Sequence, residues 1–151
     1  MPRAFPLQAP LDHAIHRMRA AERMLRMLRR KEAAARQRLD EVRGYKREYQ
    51  SRLADAGGRG LDIHLLRDYH VFLGKIEQAI RHQEAEVRKA EENWQAAHAK
   101  WLELRRQVKA YEVLAERHRQ ETLRKEERRD QRLTDETAAR QQQPLGGQAR
   151  S

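Results

Sequence analysis

The sequence predicts an all-α fold, a long antiparallel two-helix coiled coil folded as a helical hairpin. Three observations carry that prediction. Charged residues make up 37% of the 151 positions and hydrophobic ones only 38%, with a mean hydropathy of −1.09, whereas a globular domain carries about half apolar residues. So little apolar material suffices only if the fold buries a narrow seam. Along two extended stretches the apolar residues recur at alternating steps of three and four, the period that keeps a seam facing one partner helix. Between those stretches lies "DAGGRG", Asp55 to Gly60, a glycine-rich stop.

The first nine residues, with prolines at 2 and 6, read as a flexible lead-in, and the hairpin is expected over 10–140. Pro10 fits the first turn of helix 1, where a missing N–H costs nothing. Helix 1 then carries its seam on Leu11, Ile15, Met18, Glu22, Leu25, Leu28, Glu32, Ala35, Leu39, Val42, Lys46, Tyr49, Leu53 and Ala56; eleven of these fourteen are apolar. The step from Leu25 to Leu28 follows another step of three, a stammer that overwinds the coil locally. The turn is expected at 57–61, with Asp62 as N-cap of helix 2.

Helix 2 has the stronger pattern: Leu66, Tyr69, Leu73, Ile76, Ile80, Gln83, Val87, Ala90, Trp94, Ala97, Trp101, Leu104, Val108, Tyr111 and Ala115, with fourteen of fifteen apolar and no slip. Helix 1 runs out opposite roughly Tyr111. From about residue 116 the highly charged "ERHRQETLRKEERRDQRLTDETAAR" is expected to continue as an overhanging helix, and 141–151, "QQQPLGGQARS", as a disordered tail. The paired part would extend ~70 Å at ~1.5 Å per residue.

With Leu66 labelled a, Glu77, Glu84 and Glu91 fall at e of helix 2, and Arg29, Arg36 and Arg43 at e of helix 1. An antiparallel pair sets e against e, so three pairs are expected: Arg29–Glu91, Arg36–Glu84 and Arg43–Glu77. Each is worth well under ~1 kcal/mol at an exposed flank; their use is to fix register. The opposite flank brings g against g and carries Leu65, Phe72 and Ala79 with Tyr45. Val71, at f, cannot reach the seam. These residues either widen the core or form a docking patch, and Val71 favours the patch.

"YKREYQSRL" (Tyr45 to Leu53), the glycine turn and "LRDYHVFLGKIEQAIRHQ" (Leu66 to Gln83) resemble the FliJ family of bacterial flagellar export proteins, as do "FPLQAPLDHA" and "RRDQRLTDE" near the ends. The resemblance spans about residues 5–138. It implies a stalk similar to the central stalk of rotary ATPases, set in the pore of the hexameric flagellar export ATPase (FliI) and engaging the membrane export gate protein (FlhA). The family's gate-binding surface matches Arg38, Val42, Tyr45, Tyr49, Phe72, Ile76, Ala79 and Gln83 here; Arg38, Val42, Ile76 and Gln83 differ in type from other members. The heptad labels independently put Tyr45, Phe72 and Ala79 on one flank, but Val42, Tyr49 and Ile76 in the seam. For the ATPase, the charge excess of +10 directs attention to the basic residues at the end away from the turn. These are Arg17, Arg19 and Arg23 with Arg117, Arg119, Arg124, Lys125, Arg128 and Arg129. The free protein is expected to be monomeric, and export chaperones are a further class of partner on which the residues are silent.

Enzyme chemistry is not expected. Seven histidines are scattered, only His13 and His16 share a face, and no third ligand follows, so no metal or other cofactor is expected. "GGRG" lacks the lysine and the strand context of a phosphate loop. The absence of cysteine removes thiolate and disulfide chemistry. The start has no run long enough for a signal peptide or membrane span, so a cytoplasmic protein is the expectation, associated peripherally with the inner membrane at the flagellar base if the resemblance holds. Two other functions fit a basic coiled coil. A nucleic-acid-binding coiled coil is opposed by glutamates interleaved with the cations, and no nucleic acid is expected; a self-assembling scaffold or chaperone would need a seam open to further chains.

Overall fold

In a computed structural model, which describes residues 3–60 and 62–142, the chain forms two α-helices, α1 over Gln8–Gly57 and α2 over Ile63–Gln142. No strand occurs among the described residues, and the helices pack against each other as an all-α hairpin. The heptads demanded this outcome. Every one of the fourteen seam positions of α1 is buried or half-buried, and in α2 only Leu66 of the fifteen is exposed.

The helix ends follow from local chemistry. At the start, the Gln8 N–H donates to the Phe5 carbonyl at 3.1 Å and the Leu11 N–H to that of Leu7 at 3.0 Å. Pro10 therefore lies within the first turn, where its ring interrupts no ladder bond. At the other end the Gly58 N–H reaches the Ala54 carbonyl at 3.2 Å and the Arg59 N–H that of Ala56 at 3.1 Å. Gly60 then takes φ 78°, a left-handed conformation that suits glycine. Asp62 precedes α2, and its carbonyl accepts the first helical bond from the Leu66 N–H at 3.0 Å. At the C-terminus α2 includes Gln141 and Gln142, the first residues of the expected tail. Residues 143–151 of that tail, and 1–2 of the lead-in, lie outside the described residues.

The chain divides into two compact units. The first spans 17–104 and holds most of the core. Ala35, Leu39, Ile80 and Val87 form its buried cluster, with Val42 and Ile76 packed against them. Gln83 bonds the Ala35 carbonyl at 3.1 Å, and Tyr49 meets Tyr69 with ring centroids 5.0 Å apart, so the two helices run antiparallel here. The core is thin, with no described side chain below 2% exposure. Burying a residue such as Ile80 contributes about 1.5–3 kcal/mol, and the unit depends on the sum of many such half-measures.

The second unit comprises 3–16 with 105–142 of the described chain. Leu11, Ala14 and Val108 are its buried residues. The segment before α1 lies against α2, with the Phe5 and His118 rings 5.7 Å apart. The His118 Nε2 is 3.0 Å from the Arg3 carbonyl; since a carbonyl only accepts, that nitrogen carries the proton. From Leu123 to Gln142 every residue of α2 is exposed.

Candidate functional site

Within unit 17–104 the two flanks of the seam have different chemistry. The e flank is closed by charge and stacked rings. Glu32, a seam residue, is 5% exposed and is held by Arg29 at 2.9 Å and Arg36 at 3.0 Å. The hydrogen bond from Arg29, followed by that from Arg36, outweighs desolvation and holds the Glu32 carboxyl below its ordinary range. Arg29 also lies over the Trp94 ring, 3.7 Å from its centroid. Trp94 stacks on His98 at 4.8 Å, and His98 meets Trp101 at 5.6 Å. Trp101 in turn donates to Glu22, 3.3 Å away. Both tryptophans thus fill the seam, and both seam glutamates of α1 have partners.

The inter-helical ion pairs on this flank differ from the three expected. Among the described residues, Arg36 reaches Glu91 at 3.7 Å and Lys46 reaches Glu77 at 3.6 Å, whereas Arg29–Glu91, Arg36–Glu84 and Arg43–Glu77 do not form. The reason is that Glu32 competes for the same arginines from inside the seam. A short charge-assisted bond to a buried carboxylate is stronger than an exposed pair, so Arg29 and Arg36 turn along α1, and of the two only Arg36 spares an ion pair for α2.

Beyond a depression at the turn itself, lined by Arg52, Asp55, Arg59, Asp62 and Leu65 among others, the g flank is open and carries three grooves. The one nearest the turn has a volume of about 440 Å³ and is lined by Val42, Tyr45, Tyr49, Phe72, Ile76 and Ala79, with Glu48 and Arg52 at its edge. Phe72 rests against Tyr49 with ring centroids 4.8 Å apart yet keeps 49% of its surface exposed, and Tyr45 keeps 66%. Desolvation, followed by the neighbouring Tyr69 and Asp68, pushes the Tyr49 hydroxyl above its ordinary range. Tyr49 stays neutral and serves as the floor on which Phe72 leans. Leu65 and Val71 are exposed as well, at 50% and 58%.

Six of the eight residues matched to the gate-binding surface therefore share one groove, including the seam residues Val42, Tyr49 and Ile76. Arg38 and Gln83 do not line it. They line the next groove, about 360 Å³, with Lys31, Ala35, Glu86 and Lys89 among its walls. A third groove, about 290 Å³, lies between Met24 of α1 and Ala97 of α2.

The nine cations proposed for the ATPase are all exposed and are divided between the units. Arg17, Arg19 and Arg23 belong to 17–104, and the other six to the second unit. There, Arg119 pairs with Glu116 at 2.7 Å, and that bond holds the Glu116 carboxyl below its ordinary range. Lys125 and Arg129 line a depression of about 800 Å³ with Arg3, Glu121, Glu126 and His118. Among the described residues no group of three or more His, Asp or Glu could hold a metal ion, and no helix is long and apolar enough to cross a membrane.

Comparison with protein families matches the model described as flagellar FliJ protein over residues 3–144, nearly the whole chain. The chain belongs to the FliJ family. It is accordingly a component of flagellar protein export, in a family that supplies no catalysis of its own. Comparison with curated proteins and with solved structures gives no match.

Three features of the site escaped the residue pattern. The Glu32 clamp could have been suspected, because a glutamate in a seam with arginines three residues before and four after has partners within reach. The Met24 groove had its signal in the stammer. The Phe5–His118 contact had none, since a five-residue segment carries no periodicity.

Proposed function

We propose that this chain is a stalk and adaptor of the flagellar export apparatus, binding the membrane export gate protein through the aromatic groove and the export ATPase ring through its exposed cations. The observation that carries this reading is the gathering of Val42, Tyr45, Tyr49, Phe72, Ile76 and Ala79 into one groove whose two most prominent rings stay half-exposed or more. A half-exposed aromatic pair beside a well-packed seam contributes little to the fold and offers an anchor to a partner. Arg38 and Gln83, in the adjoining groove, extend the contact along the same flank. The cations suit an acidic surface, since Arg117, Arg124 and Arg128 have no carboxylate partner among the described residues. The role is non-catalytic and places the protein in the cytoplasm, peripheral to the inner membrane at the flagellar base.

The test uses the full chain with the gate's cytoplasmic portion and with the ATPase. Phe72→Ala is expected to weaken gate binding while stimulation of ATP hydrolysis persists. Truncation after Glu116 should abolish stimulation and leave the remaining helices folded by circular dichroism. A truncated chain that stimulates in full would reject the assignment of the six C-terminal cations, and gate binding indifferent to Phe72 would reject the groove.

A further inference from the structure

Of the third groove of unit 17–104, the gate reading uses nothing and the ATPase reading only Arg17 at its rim. Ala20, Ala21 and Met24 of α1 face Ala97 of α2, with Arg17 and Lys100 on its rim, and no carboxylate lines it. Its origin lies in the stammer. Two successive steps of three, from Glu22 to Leu25 and from Leu25 to Leu28, rotate α1 relative to the seam. The methionines between those positions turn outward, leaving Met24 47% and Met27 41% exposed. The alanines keep the surface low beside them, so another backbone can approach closely.

We propose that this groove docks an amphipathic helix whose apolar stripe is flanked by carboxylates. Three features choose that occupant. The trough follows the helix pair and has alanine walls, which accept a helix face better than a loop. Methionine side chains adapt to differently shaped apolar faces. Both rim charges are cationic and form no ion pair among the described residues, so an acidic flank satisfies both at once, while a basic one is repelled by both. A second copy of this chain fits poorly, because its net charge of +10 opposes self-docking on a cationic rim.

The test measures binding of two synthetic amphipathic helices to the full chain by fluorescence anisotropy. They share a leucine stripe and differ only in flanks of glutamate or of lysine. The glutamate peptide is expected to bind at least about tenfold more tightly, at a salt near physiological. Met24→Glu should abolish its binding at only a small cost to the melt, since Met24 is 47% exposed. Lys100→Glu should level the preference, and Arg17→Glu with Lys100→Glu should reverse it in favour of the lysine peptide, a swap that mere loss of structure would not produce. Phe72→Ala should leave the peptide affinity unchanged, which separates this groove from the aromatic one and its fate from that of the gate reading. Equal binding of both peptides, or binding indifferent to Met24→Glu and Lys100→Glu, would overturn the proposal. So would self-association of the chain that Met24→Glu abolishes, because a second copy would then be the occupant.

Discussion

The two flanks of unit 17–104 share one seam and one backbone geometry, yet one is closed and the other open. On the e flank, around Glu32 and the two tryptophans, the gaps beside the seam are filled by charges that have partners and rings that have neighbours: Glu32 between two arginines, Arg29 over Trp94, His98 between two tryptophans. On the g flank Tyr45, Phe72 and Met24 stay about half exposed or more and Ala79 is small, and three grooves lie beside the seam. The difference teaches that in so thin a fold the seam supplies cohesion while the flanks divide two other tasks. One fixes which residues face each other. The other is left for partners.

The largest effect that would break this division is expected at Glu32. Glu32→Ala removes a buried carboxylate and leaves two arginines without their short bonds, so a loss of about 2–3 kcal/mol is expected in denaturant melts, with gate binding unchanged once the protein is folded. A Glu32→Ala protein as stable as the original would mean that the e flank fixes nothing.

The same residue predicts a pH dependence. Its carboxyl lies below the ordinary value of 4.5 in the folded chain, chiefly through the bond from Arg29. The unfolded chain therefore takes up the proton first. The stability this group contributes is present above that ordinary value and is lost as pH falls through the folded one. Melts between neutral and strongly acidic pH should show a steeper loss for the original protein than for Glu32→Gln; parallel curves would remove Glu32 from the acid response.

On the open flank the effect should fall on binding instead. Phe72→Ala is expected to cost gate binding about 2 kcal/mol, the scale of an aromatic anchor, and stability only about 1 kcal/mol, because half the ring is already in water. Tyr45→Ala should lower gate binding in the same way with less effect on the melt. Arg36→Ala, across the seam, should do the reverse. If Phe72→Ala melted much earlier and bound the gate normally, the ring would belong to the core and the flanks would not differ in kind.

The smallest effect is expected at the half-buried Lys46–Glu77 pair. Its 3.6 Å separation and partly solvated side chains limit it to under ~1 kcal/mol. A double-mutant cycle at moderate salt that gave a larger coupling would show that the e flank's cross-helix pairs matter beyond register.

Much of the fold was legible because a coiled coil is written in one repeated spacing. The seam positions, the glycine stop and the flank of Tyr45, Phe72 and Ala79 all follow from counting by three and four. What counting could not supply is the choice among partners at equal spacing. Arg29 and Arg36 have glutamates within reach on both helices, and burial of Glu32 decides the contest. Nor could heptad letters tell how far a seam residue shows at the surface: Val42, Tyr49 and Ile76 are seam residues and groove walls together, because a two-helix seam has no third helix to cover its side. Gln83 shows the same limit. As a polar seam residue it reads as an exception, and the structure has it bonding the Ala35 carbonyl while lining a groove.

The turn at Gly60 has a consequence for how the chain finds this structure. Contacts between the two arms of the chain grow steadily more distant in sequence away from it: Gln83 with Ala35 spans 48 residues, Trp101 with Glu22 spans 79, and His118 with Arg3, ahead of α1, spans 115. Closing any of these loops directly costs more the longer it is, whereas a pair already closed nearer the turn makes the next one local. Folding should therefore run as a zipper from Gly60 outward, with the contact order of the early steps far below that of the finished fold. Gly60→Ala, which strains the left-handed φ, should slow folding and hardly touch unfolding, while Val108→Ala at the late end should speed unfolding and leave the folding rate alone. Stopped-flow chevrons on the two variants read both rates. The last contacts to form then join residues made long before their partners, so Phe5 has to wait for His118 to leave the ribosome before the structure can close.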